Sequence, residues 1–336
     1  MRRIRHNAHR ASCAQRACRA PRAGIRAAGT CVLALALALA ACPVLAACGG
    51  DSPSPSPDGA EESTSGPAYS EPAQIATSGF DATAATGQND ALIDTSHAAQ
   101  GYVAASAVNA NRLKLQVTCG DMSYNYDLPG DGTPIVCPLN MGNGTYLVRV
   151  MQNTSGSNYV EIAAQQIDVA LDSEFEPYLR PNVFCAYTDA SSCVQLAREL
   201  AADAQNEGDV VRAVYSWVQA NISYDTDKAA ELADATGYVP DPDATLSAGT
   251  GICFDYASLA AAMFRSLGIP CQIITGYVSP SGIYHAWNMV YIDGEWISVQ
   301  IRVDANTWTR VDLTFAAAGA SPTVGDGTDY TDRYVY

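Results

Sequence analysis

The sequence predicts an α+β protein: a small β-sandwich over residues 80–175, then a domain over residues 176–336 in which helices pack on an antiparallel sheet. Three observations carry this expectation. Residues 80–171 alternate apolar and polar positions between closely spaced turn residues. Between residues 193 and 222 the period lengthens to that of amphipathic helices. After residue 271 further strands follow, with a hairpin signal at Asp293-Gly294. Hydrophobic residues fill 48% of the 336 positions, enough to build two cores.

The first 47 residues read as an address. They carry eight arginines and no acid, and Cys31 to Ala41 (CVLALALALAA) is an apolar run too short to span a bilayer. Leu45-Ala46-Ala47-Cys48 resembles the lipobox of bacterial lipoproteins. Leu39-Ala40-Ala41-Cys42 is a rival, disfavoured by Pro43 directly after it. The resemblance implies a signal peptide over 1–47, lipidation at Cys48, and an exported protein anchored at the extracytoplasmic face of the cell membrane. Residues 48–79 are rich in Ser, Pro, Gly and acids, have no apolar period, and are expected to be a disordered tether.

In the sandwich region Leu113, Leu115, Val117 and Cys119 share one strand face, and Tyr124, Tyr126 and Leu128 repeat the pattern. Pro129-Gly130-Asp131-Gly132 is a turn before the row Ile135, Cys137, Leu139. Strands are expected again at 146–152 and 159–169. His97 stands alone near a turn and carries no expected chemistry. Helices follow at 193–204 and 209–222, the latter with an apolar stripe of Val210, Val214, Trp217 and Val218. Residues 225–251 read as a loop. A helix opens at Cys253 and ends before Gly268 and Pro270. Strands are expected at 271–278, 284–292, 296–303 and 308–315, with Asp293-Gly294 as a hairpin turn.

Beyond residue 47 the chain has 11 basic and 35 acidic residues, a net of −24, and its only lysines are Lys114 and Lys228. Such a surface excludes nucleic acid as a partner and leaves the lipid anchor as the only membrane contact. Six cysteines follow Cys48. Export and strand phase suggest a disulfide between Cys119 and Cys137, and nearness in sequence suggests another between Cys185 and Cys193. Cys271 reads as a buried strand residue. The cysteine spacings and two remaining histidines do not form a metal site, and no cofactor is expected.

Cys253 stands apart. A thiolate is the nucleophile, and a helix N-terminus lowers a thiol's pKa through its free N–H groups and dipole. Cys253 opens a helix behind Gly249-Thr250-Gly251, whose glycines would admit a substrate backbone. Its backbone N–H is a candidate oxyanion donor. His285, in His-Ala-Trp-Asn, is the only imidazole in this half. Gly-Thr-Gly-Ile-Cys253-Phe-Asp-Tyr-Ala, Arg-Ser-Leu-Gly-Ile-Pro, His285-Ala-Trp-Asn-Met-Val-Tyr-Ile-Asp-Gly and Trp308-Thr-Arg-Val-Asp312-Leu-Thr-Phe together resemble the bacterial transglutaminase-like superfamily over residues 190–320. The resemblance implies a papain-like fold and a Cys-His-Asp triad: Cys253 the nucleophile, His285 the base and acid, Asp312 the group that orients the imidazole.

The third position has a rival. Trp296 to Gln300 half repeats the Trp308-to-Asp312 pattern with an amide. A simple meander would bring Gln300 to His285, whereas an excursion over 294–306 would return Asp312. Asp293 and Asp304 fall in turns and should point away. The fuller motif favours Asp312. The implied substrate is a peptide or protein, cell-wall peptide among the candidates, attacked through a thioacyl intermediate that water (protease or amidase) or an amine (transamidase) resolves. A non-catalytic scaffold lipoprotein is the alternative, and a monomer is expected.

Overall fold

The computed structural model describes residues 64, 66–233, 235–278, 283–292, 296–297, 302–303, 307–311 and 330–336. Eight strands come first: β1 (Thr86–Gln88), β2 (Ala91–Asp94), β3 (Tyr102–Ala107), β4 (Leu113–Cys119), β5 (Met122–Leu128), β6 (Ile135–Pro138), β7 (Gly144–Ser155) and β8 (Asn158–Val169). They form two antiparallel sheets, ordered β1-β2-β3-β6 and β5-β4-β7-β8. The alternation explains the core: Leu115 and Val117 of β4 meet Tyr126 of β5 and Val148 of β7 in one buried cluster. Gly120, at φ +55°, opens the two-residue connection between β4 and β5, where a left-handed backbone suits the strand twist. Strand β3, YVAASA, was not expected from sequence. It is buried at nearly every position, so it lacks the alternation that marks a half-exposed strand.

The later part of the expected tether is ordered. Tyr69 and Ile75 pack against the core of the second domain, Tyr69 N–H donates to the Gln205 carbonyl at 3.1 Å, and Glu71 pairs with Arg198 at 2.9 Å. Two isolated apolar side chains, too few to set up a period, are enough to dock this stretch.

The second domain contains α1 (Ser192–Ala201), α2 (Glu207–Asn221), β9 (Ser223–Tyr224), α3 (Thr226–Glu231), α4 (Pro242–Ala248), β10 (Thr250–Gly251) and α5 (Cys253–Ser266). Then come β11 (Cys271–Val278), β12 (Ile283–Ile292), β13 (Trp296–Ile297), β14 (Arg302–Val303), β15 (Thr307–Val311) and β16 (Tyr330–Val335). The main sheet is antiparallel in the order β15-β12-β11-β16. Helix α5 is the central element, buried from Asp255 to Ser266 against α1, α2 and the sheet. Arg265, fully buried, donates to the carbonyls of Arg180, Cys271 and Tyr336 at 2.9–3.0 Å and so ties α5 to the last residue of the chain.

Two elements depart from expectation. Residues 225–251 hold α3 and α4 rather than a bare loop, each short helix capped by its own aspartate, Asp225 and Asp241. Residues 296–303, expected as one strand, contribute β13 and β14, which pair only with each other, so the strand beside β12 is β15.

Asp243 offers a pH test of this framework. Its carboxylate accepts from Cys193 N–H at 2.8 Å and Ser192 N–H at 3.2 Å, satisfying the start of α1 from a neighbouring helix. Burial pushes its pKa up, but these hydrogen bonds outweigh it and hold it below the usual 3.8. A depressed folded pKa stabilises above the unfolded value and stops doing so as pH falls through the folded one. Asp243→Asn should therefore cost about 1 kcal/mol at neutral pH, in the range of a lost helix cap, with the difference shrinking below about pH 4. Urea unfolding at several pH values measures it.

Candidate active site

Helix α5 begins at Cys253 because three local devices start it there. Gly249, at φ +63°, ends α4 in the left-handed conformation. Thr250 and Gly251 then pair in parallel with Ser223 and Tyr224. Ile252 takes an extended backbone, and the Asp255 carboxylate reaches back to accept its N–H at 2.8 Å. A side chain at Gly251 would come within 2.6 Å of Asp255 Cβ, so this glycine makes room for the helix start itself. Cys253 is the first helical residue, and its N–H is among the first-turn donors that have no intrahelical acceptor.

His285 sits on β12 opposite Gly276 of β11 and is 5% exposed. Its ring lies 6.2 Å from that of Trp287, nearly parallel to it. The Asn of the same motif holds this strand to the cysteine helix: buried Asn288 donates Nδ2–H to the Ala257 carbonyl at 2.9 Å, one turn beyond Cys253. Cys253 and His285 line one cavity of about 630 Å³. The two residues singled out from sequence therefore line the same cavity.

Burial separates four of the other five described thiols from this one. All six described cysteines are free, so the disulfides expected between Cys119 and Cys137 and between Cys185 and Cys193 are not present. Cys119 lies on β4 and Cys137 on β6, in different sheets; inward phase alone did not make them neighbours. Cys185 Sγ–H instead points to the Ser258 carbonyl, and Cys193 bonds Asp243. Burial pushes the thiols of Cys185 and Cys271 up to about 11 and about 12, and those of Cys137 and Cys193 also well up. Cys253 is only half-buried and opens on the cavity.

Sequence reasoning missed the groups that brace this site. Asp255 is fully buried, and its carboxylate accepts from Lys228 Nζ at 2.6 Å and from the Tyr238 hydroxyl, in addition to Ile252 N–H. Lys228 also lies 4.8 Å from the centre of the Tyr238 ring. This cluster fastens α3 and the segment after it beside the start of α5. An acid three residues after the N-cap was a readable sign of a capping role. Nothing in the sequence marked its partners, 27 and 17 residues away. Among the described residues no three His, Cys, Asp or Glu side chains gather to hold a metal.

Asp312 and Gln300, the rivals for the third position, lie outside the described residues, as do Asp293, Asp304 and Cys48. The described strand β15 pairs with β12, with Val311 opposite Asn288. No helix among the described residues is long and apolar enough to cross a membrane.

The family model of the transglutaminase-like superfamily matches residues 194–301, a span that includes Cys253 and His285. Human kyphoscoliosis peptidase is 27% identical over 138 residues, covering 38% of this chain and 20% of that protein. The uncharacterized protein ML0607 of Mycobacterium leprae (strain TN) is 25% identical over 174 residues, covering 49% and 55%. The chain thus spans about a fifth of the peptidase and about half of ML0607. Among solved structures, a candidate cysteine protease from Cytophaga hutchinsonii aligns with 18% identity over 69% of this chain and 80% of its own, at a TM-score of 0.32. The motifs around Cys253 and His285 and the family match agree: residues 194–301 form a transglutaminase-like domain.

Proposed function

We propose that the chain is a thiol acyl-transfer enzyme acting on peptide or amide carbonyls. One observation carries the reading: a half-buried thiol at a helix N-terminus and the only imidazole after residue 97 line the same cavity. In the reaction, Cys253 Sγ attacks the carbonyl carbon while His285 takes the thiol proton. The first-turn N–H of Cys253 receives the developing oxyanion. The C–N bond then breaks, and His285 returns the proton to the leaving amine. Water resolves the thioester to an acid, or a second amine resolves it to a new amide; either regenerates the thiol. Asp312 is the group we assign to orient His285. In support, β15, which ends at Val311, is paired with β12, whereas residues 296–297 and 302–303 pair with each other.

His285→Ala should slow turnover by about 10²–10⁴-fold, the usual contribution of a general base. It should also slow labelling of Cys253 by iodoacetamide near neutral pH. Equal labelling in both proteins would leave a binding scaffold rather than an enzyme. Comparing amine incorporation with peptide cleavage by the purified protein separates transamidase from hydrolase.

We further propose export and anchoring through acylated Cys48, on the basis of the segment before it. Metabolic labelling with a fatty acid should tag the wild type and spare Cys48→Ala. Equal labelling of the variant would end the assignment.

A further inference from the structure

The cavity that holds Cys253 and His285 is walled from both halves of the molecule. Asn125, Tyr126 and Asp127 of β5 and Lys114 of β4 face it from the sandwich. The segment after α3 faces it with Leu232, Ala235 and Val239. That segment touches both sides. A side chain at Gly237, φ +82°, would come within 2.5 Å of Asp127 Oδ2, and the next residue, Tyr238, bonds Asp255 under the nucleophile.

The chemistry of these walls is uneven. Apart from His285, the charged lining groups are Lys114 and Asp127, and they neutralise one another at 2.7 Å. No uncompensated charge among the described lining residues is left to recognise an ionic side chain. Large apolar residues, by contrast, are left in the open here. Eight are exposed among the described residues; Tyr224, Val239 and Tyr284 line this cavity, and a fourth, Tyr277, packs its ring 5.2 Å from that of Tyr284. Apolar surface kept exposed around a catalytic thiol is what a ligand's apolar group would cover.

We infer that this cleft is a subsite for a neutral, apolar or aromatic side chain next to the carbonyl that Cys253 attacks, and that strand β5 of the sandwich forms one of its walls. The inference rests on the proposed nucleophile and names the class of peptide it acts on. It disfavours peptides with an ionised side chain at that position. It also gives the sandwich a part in selectivity.

The test uses the full-length protein and acetyl-dipeptidyl vinyl sulfones bearing Phe, Leu, Glu or Lys beside the electrophile, with iodoacetamide as a probe that has no side chain. Alkylation of Cys253 is followed by mass spectrometry. The Phe and Leu probes should react at least about tenfold faster than the Glu and Lys probes, the scale of discrimination an apolar pocket supplies. Val239→Ser should reduce the Phe-over-Glu ratio severalfold. Asn125→Lys, a surface change in the sandwich, should raise the Glu rate over the Lys rate severalfold, which it can do only if β5 faces the bound side chain. Equal rates for all four probes, or charged probes reacting fastest, overturn the subsite while iodoacetamide labelling leaves the nucleophile standing. A ratio of Glu to Lys rates unchanged by Asn125→Lys removes the sandwich from it. Failure of iodoacetamide to label Cys253 overturns the catalytic reading and the subsite with it.

Discussion

Cys253→Ala should abolish turnover, by at least about 10⁴-fold, because both halves of the proposed reaction run through the thioester on its sulfur. Four of the other described thiols are poor substitutes. Those of Cys137, Cys185, Cys193 and Cys271 are buried and pushed up by that burial, so none offers a thiolate to the cavity. Cys253→Ser is the sharper experiment. It keeps the volume and the helix start, yet a hydroxyl is far harder to ionise beside the same imidazole, so activity should fall nearly as far. Stability should hardly change in either variant, since the side chain is only half-buried. Steady-state turnover and urea unfolding on the same samples separate chemistry from folding. Retained activity in Cys253→Ala would remove the mechanism.

Asp255→Ala is expected to have the largest effect on stability, about 2–4 kcal/mol. Breaking a buried ion pair by removing one partner costs roughly 3–5 kcal/mol. Lys228 is 31% exposed and recovers some hydration, which places the estimate at the lower part of that range or below it. The Tyr238 hydroxyl and Ile252 N–H lose their acceptor as well. The variant should also lose activity beyond what its stability predicts, because the same carboxylate fixes the helix start that presents Cys253. The pH dependence has a definite sign. Burial lowers the Lys228 pKa, but the Asp255 carboxylate and the Tyr238 hydroxyl outweigh it and raise it above the usual 10.5. A raised folded pKa stabilises fully below the unfolded value and fades as pH rises through the folded one. The difference between wild type and Lys228→Met should therefore persist across neutral pH and shrink only above about pH 10.5. A chemical-denaturation series from pH 6 to 11 reads it, and a difference that vanished below pH 9 would contradict the ion pair.

Periodicity carried much of the architecture. Strand β11 falls at the predicted residues 271–278, and α5 starts at the predicted Cys253, because each is long enough to show a repeat and is bounded by Gly or Pro. Short or fully buried elements escaped. Strand β3 shows no alternation, α3 and α4 are six and seven residues long, and β16 lies beyond the expected C-terminal strands. Pairing escaped too: phase told which face Cys119 and Cys137 shared, but not that they belong to different sheets.

What the sequence by itself determined was the candidate pair of reacting groups. Cys253 is a thiol at a helix start, and His285 is the only imidazole after residue 97, so any imidazole partner for it in that half is His285. Those candidates depend on local hydrogen bonding and on counting, both of which are written in one dimension. Only the tertiary structure decided what surrounds them. It placed Lys228 and Tyr238 on Asp255, made β15 the partner of β12, and set β5 of the sandwich against the cavity. Each is a contact between segments with no shared period. Which segments meet is settled by how the two cores pack, because burial is collective and leaves no mark at the single positions it joins.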